Sequence, residues 1–152
     1  MLSPDKPRVP TSSMKQHRSL SEILQSTSDV LFPDQMGDAA VELDSTDAEG
    51  DTPLHVMVWR GDRDAVEVLI AAGAEIDAVG DMGQTPLHVA VTRADEHISE
   101  LLLRAGASPS VRSEFGDTPG ELAESRGRTM QKLFEHAAKQ AAAHHSVKKR
   151  DA

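Results

Sequence analysis

Apolar residues follow two alternating patterns through the middle of the chain. The runs 53–60 (PLHVMVWR) and 86–93 (PLHVAVTR) are compact and largely apolar. Each is followed by a second run with helical spacing: Val66, Leu69 and Ile70 in one, Ile98, Leu102 and Leu103 in the other. Thr before Pro predicts a helix start, because the hydroxyl caps free N–H groups and Pro fits the first turn. Gly61-Asp62 and Ala94-Asp95 end the first helix of each pair. Gly73 and Gly106 sit where a left-handed residue stops the second. The intervening stretch 75–83 alternates and then turns on glycine, which predicts a hairpin.

These elements repeat with a period of 33 residues: Thr52-Pro53-Leu54-His55 recurs as Thr85-Pro86-Leu87-His88, and Thr85-Pro86 as Thr118-Pro119. Gly50, Gly83 and Gly116 obey the same offset, as do Gly73-Ala74 and Gly106-Ala107. Such self-similarity marks a repeat architecture. The motif D-x-x-G-x-T-P-L-H, a Gly before the second helix and a closing Gly-Ala together resemble the ankyrin-repeat family over roughly residues 47–136. The wording around 79–88 and 111–119 is similar to small bacterial ankyrin proteins. The resemblance implies an all-α solenoid of antiparallel helix pairs with β-hairpin fingers along one edge. Copies fall at 47–79, 80–112 and 113–136, giving two full repeats and a degenerate C-terminal capping repeat.

Departures from the motif are informative. Gly80 stands where the motif has its leading Asp, and Ala94 where it has Gly. The third copy reads Thr118-Pro119-Gly120-Glu121, and its apolar positions Met130, Leu133 and Phe134 come about two residues early. Relaxation of this kind is what a terminal unit shows, since its outer face meets water. The opposite end also needs a cover. Leu20, Ile23 and Leu24, followed by Val30-Leu31-Phe32-Pro33, predict an N-terminal helical cap over 19–46, with a partner-binding helix as the alternative. Residues 1–18 form a basic, Pro-rich segment read as a disordered tail, in which Pro4, Pro7 and Pro10 also fit a polyproline ligand and Met14 offers a second start. Residues 137–152 are expected to finish the last helix and form a basic tail.

Composition narrows the chemistry. Hydrophobic residues are 38% of the 152, aromatics 3%, and Tyr and Cys are absent. A core must therefore come from Leu, Val, Ile and Ala, and disulfides, thiolate metal sites and cysteine nucleophiles are excluded. No apolar run approaches a membrane span. The opening MLSPDKPRVP lacks the apolar region of a secretory signal, so a soluble cytoplasmic protein is expected, and separately a monomer. The formal charge of −9 is uneven: residues 1–18 and 137–152 each sum to +3, leaving −15 on 19–136. An acidic body repels phosphates and anionic lipid, so neither nucleic acid nor membrane is expected as a partner. It would steer a protein with a basic rim, or simply serve solubility.

No catalytic, cofactor or metal site is expected. Nucleophile elbows, phosphate-binding glycine loops and His-Glu-x-x-His are absent. His55 and His88 lie inside TPLH, where the resemblance implies a structural hydrogen bond, and His144-His145 reaches no carboxylate cluster. The resemblance instead implies a concave binding surface of finger tips and first-helix ends. The matching tips are Ala48, Glu49 and Asp51; Asp81, Met82 and Gln84; Glu114, Phe115 and Asp117. The helix ends are Trp59 and Arg60; Thr92 and Arg93; Ser125 and Arg126. Trp59, Met82 and Phe115 are candidate apolar anchors, although Phe115 could also fold back onto the last repeat. Arg60, Arg93 and Arg126 recur at the repeat period, so they form either a carboxylate-reading column or independent helix-end charges that complement the dipole. The expectation is a non-enzymatic protein-binding module. Two variants are an inhibitor that neutralises a cognate toxin, such as a basic nuclease, and a secreted effector using Lys148-Lys149-Arg150 for transport.

Overall fold

The computed structural model describes residues 18–35 and 40–151, with side chains through residue 140. The polyproline segment, Met14, His144-His145 and Lys148-Lys149-Arg150 lie outside the described residues or side chains. The chain runs α1 (Leu20–Gln25), α2 (Ser28–Leu31), α3 (Pro53–Arg60), α4 (Arg63–Ala71), α5 (Pro86–Thr92), α6 (Glu96–Arg104), α7 (Pro119–Glu124) and α8 (Arg128–Asp151). Helices α3, α5 and α7 pack in an inner row, and α4, α6 and α8 in an outer row, with α3 on α4, α5 on α6 and α7 on α8. The short links between paired helices make each pair antiparallel. The result is an all-α solenoid, and α1 packs on α4 as α4 packs on α6.

Each inner helix starts by the same device. Thr52, Thr85 and Thr118 cap the backbone N–H three residues on, and that residue's side chain reaches back to the threonine N–H. Histidine does this in the first two repeats and Glu121 in the third, where Oε1 accepts from Thr118 N–H at 3.1 Å. The loss of Leu and His from the third motif therefore leaves its capping box intact. Of the outer helices, α4 and α6 start on aspartate: Asp62 accepts from Ala65 N–H and Asp95 from Ile98 N–H. The early apolar positions of the third copy have a geometric cause, since α7 spans six residues against eight in α3.

The core is aliphatic and continuous through the stack. Leu54, Met57, Val58, Val66, Leu69, Leu87, Ile98, Leu102 and Met130 are buried, with Ile23, Leu24 and Leu31 closing the N-terminal end. Phe32 and Phe134 are half-buried against it.

The fingers differ from extended hairpins. Among the described residues there is no β-strand. Each finger is a tight turn closed by a pair of backbone bonds: Asp47 N–H to the Asp51 carbonyl with Gly50 N–H to Asp47, Gly80 to Gln84 with Gly83 to Gly80, and Ser113 to Asp117 with Gly116 to Ser113. The D-x-x-G tip is too short to build a ladder. In the first finger Asp47 Oδ1 accepts from the N–H groups of Glu49 and Asp51, and in the third Ser113 Oγ accepts from Phe115 N–H. The second finger has Gly80 instead, where a Cβ would crowd the His55 ring and clash with the Asp51 carboxylate. That carboxylate reaches across from the first finger to accept from Asp81 N–H at 2.9 Å.

Ala94 shows the other departure. Gly61 ends the first inner helix at φ +74°, and Ala94 takes the corresponding place at φ +57°. Left-handed backbone costs an L-residue about 1–2 kcal/mol, partly offset by the larger entropy that glycine loses on folding. Ala94→Gly is expected to stabilise the chain by about 0.5–1 kcal/mol in urea unfolding. A decrease in stability would show that this turn is not strained.

Candidate functional site

The finger turns and inner-helix ends enclose a cleft of about 390 Å³ between the first two repeats. Its floor is apolar, from Val56, Val89 and Trp59, and its finger wall carries Asp51, Asp81 and Gln84. Val30 and Arg60 close the end nearest α2. Trp59 is the sole tryptophan and is 60% exposed at the end of α3. It leaves the core because the preceding Met57 and Val58 take the buried positions of the helix.

His55 holds the finger wall in place. Its Nδ1 accepts the Thr52 N–H at 3.0 Å, so the ring proton sits on Nε2, which donates to the Gln84 carbonyl at 3.0 Å. His88 repeats the arrangement with Thr85 and the Asp117 carbonyl, at 3.0 and 3.2 Å. Each histidine thus ties its own helix start to the next finger. Burial pushes the His55 imidazole below its ordinary pKa, against smaller opposing effects of the Gln84 carbonyl and of Asp51 and Asp47. Both ring nitrogens of each histidine are engaged within the protein. Among the described residues no group of three His, Asp or Glu side chains could hold a metal ion.

The arginines reach backward along the stack. Arg60 donates to the Ser26 carbonyl at 3.1 Å and pairs with Asp29 at 3.6 Å, beside α2. Arg93 lies over the Trp59 ring, 5.1 Å from its centroid. Both contacts span 34 residues, one repeat plus one. Arg126 is exposed and has no ion pair among the described residues. Two of the three guanidinium groups therefore act between neighbouring units of the stack. Cation–π stacking at an exposed ring is worth about 0.5–1 kcal/mol, enough to favour this Trp59 orientation.

The remaining candidates spread along the same edge. Met82 is 48% and Phe115 67% exposed, at successive finger tips, so Phe115 does not fold onto the last repeat. Met82 has φ +58°, and its carbonyl accepts from Glu114 N–H at 2.9 Å, linking the second and third fingers. Glu49, Asp81, Glu114 and Thr92 are exposed, and Ser125 Oγ donates to the Leu122 carbonyl. The cleft gathers Trp59, Arg60, Asp81 and Gln84, whereas Met82, Thr92, Arg93, Phe115, Ser125, Arg126, Glu49 and Glu114 are outside its lining. Val30 is a lining residue that the sequence candidates do not include. The run Val30-Leu31-Phe32 reads as uniformly buried, but one helical turn sends Leu31 inward and Val30 to the surface.

A family model for ankyrin repeats in three copies matches residues 20–113. This chain belongs to the ankyrin-repeat family. Ankyrin repeats are generally protein–protein interaction modules and typically non-enzymatic. The matched span of this ankyrin-repeat protein starts at α1, earlier than the sequence motif alone suggests, in keeping with the packing of α1 on α4. No curated protein matches the chain. Among the described residues no helix is long and apolar enough to cross a membrane.

Proposed function

We propose that this ankyrin-repeat protein is a monomeric, cytoplasmic, non-enzymatic module that holds a protein partner along its finger tips and inner-helix ends. The observation that carries this reading is Trp59, exposed at the cleft with the Arg93 guanidinium of the next repeat stacked on its ring. Pre-positioned aromatics lose little entropy on binding and dominate interface energetics. Met82 and Phe115 extend the apolar contacts along the fingers, and the acidic tips Glu49, Asp81 and Glu114 favour a partner with a basic rim. The net charge of −9 opposes self-association.

Capture from native lysate with the intact chain, a Trp59→Ala/Phe115→Ala variant and an outer-row Glu67→Arg/Glu100→Arg variant tests the reading. A partner identified by mass spectrometry should be retained by the outer-row variant and lost by the other. Trp59→Ala alone is expected to weaken the purified complex by about 2 kcal/mol, near thirtyfold in Kd by calorimetry. Retention of the partner by all three proteins would move binding off this face.

A further inference from the structure

The charges around the Trp59 cleft are not equivalent, and the difference identifies what enters it. Arg60 has its guanidinium matched by Asp29 and the Ser26 carbonyl, and Arg93 lies on the Trp59 ring. Asp51 and Asp81 form no ion pair among the described residues. Asp51 uses Oδ1 to accept from Asp81 N–H, which fixes the first carboxylate beside the second finger. Asp81 is exposed at the mouth. The cleft therefore presents an apolar floor, the free edge of an indole and two carboxylates on one wall.

We infer that this cleft receives a lysine or arginine side chain from an extended partner segment, with apolar neighbours of that residue lying on Trp59 and Val30. The inference rests on the partner-binding reading above and adds the chemistry of the anchor. A long aliphatic stem ending in a cation matches the floor and the wall together. An anionic anchor would face Asp51 and Asp81, and the one arginine lining the cleft, Arg60, already has Asp29 and the Ser26 carbonyl as partners. A neutral apolar anchor would leave two carboxylates beside it partly desolvated, which costs free energy when a charge loses water without gaining a counterion. The first finger also carries Asp47 and Glu49 outside the cleft lining, so the potential that a cation meets on approach is attractive.

The test uses blocked peptides Ac-Ala-Leu-X-Leu-Ala-NH2, with X as Lys, Gln or Glu, titrated into the 15N-labelled full chain. The Trp59 indole N–H and the amides of Asp81 and Gln84 report on the cleft. The Lys peptide should shift these resonances with a Kd about fivefold lower than the Gln peptide, as one exposed charge contact allows. The Glu peptide should be weakest. Asp51→Asn/Asp81→Asn should remove the Lys preference while keeping the dispersed spectrum of a folded chain, since the side-chain amide oxygen introduced at position 51 can still accept from the backbone N–H at position 81. Equal shifts from Lys and Gln peptides would overturn the cationic anchor and leave the apolar concave reading standing. Preference for Glu would overturn it in favour of the arginines. Shifts elsewhere, or none at the cleft, would overturn it as well. The broader reading fails separately, by a partner that Trp59→Ala/Phe115→Ala retains.

Discussion

Replacing His88 by alanine is expected to remove about 3 kcal/mol of folding stability. The imidazole is fully buried in the middle repeat and bonds Thr85 N–H on one side and the Asp117 carbonyl on the other. Its loss leaves the buried Thr85 N–H unpaired, at about 1–3 kcal/mol. The substitution takes one of two donors from the Asp117 carbonyl, which keeps Ser113 N–H, and opens a cavity where the ring was. It also uncouples the second repeat from the third finger. Urea unfolding with the m value unchanged would report the loss as a lower midpoint. A cost below about 1 kcal/mol would mean that water or a neighbouring side chain takes over these partners. Glu121→Ala, at the exposed box of the third repeat, should cost about 1 kcal/mol, the ordinary value of a helix cap.

Acid should act through the same device at His55. Its folded pKa lies below the ordinary 6.5 because burial disfavours the imidazolium, and a proton on Nδ1 would face the Thr52 N–H donor. The unfolded chain thus binds this proton more readily. The stabilisation is fully present above about pH 6.5 and declines as pH falls from there toward the folded value. His55→Gln can keep both bonds without titrating. Unfolding curves at pH 7.5 and 5.0 should therefore show a smaller acid loss in the variant than in the parent. An equal loss would place the acid sensitivity in the carboxylates.

Much of this architecture was legible because the TPLH box is local. Thr, Pro and His act within four residues, so their period alone gives the inner helices, their starts and the stacking order. The Gly80 and Ala94 departures were legible as departures, but their causes lay across the stack. The approach of Asp51 and of the His55 ring explains Gly80, and the dihedral of Ala94 shows that strain is accepted there. The candidate site was read less completely for a related reason. The arginines recur every 33 residues, which suggests a free column, yet Arg60 and Arg93 each reach the unit before them at a spacing of 34. That extra residue is the length of a side chain leaning along the stack, and no periodicity search on residue identity finds it. Val30 was hidden similarly, since three consecutive apolar residues do not reveal which one a single helical turn will expose.

Truncating Ile23 to alanine is expected to cost about 2–4 kcal/mol, which separates a structural cap from a dispensable partner helix. Ile23 is 1% exposed, and α1 lies against α4 in the outer row. Deleting a buried isoleucine forfeits its transfer free energy and leaves a cavity that a well-packed stack closes only in part. Further ties reinforce the placement. Arg18 grips both oxygens of Asp62 at 2.6–2.7 Å, and Asp62 caps α4. Burial acts to raise the Asp62 carboxyl pKa, but the Arg18 guanidinium and the Ala65 N–H outweigh it and hold the group below its ordinary value. A stack of so few repeats has little stability to spare, since each unit leans on its neighbours and the end faces must be covered. Ile23→Ala should therefore lower the urea midpoint of the whole chain in one cooperative step, and raise amide exchange first in α3 and α4. A variant that unfolds at the parental midpoint, with exchange changed in α1 alone, would show that α1 is an appendage and that the stack ends at α3 and α4.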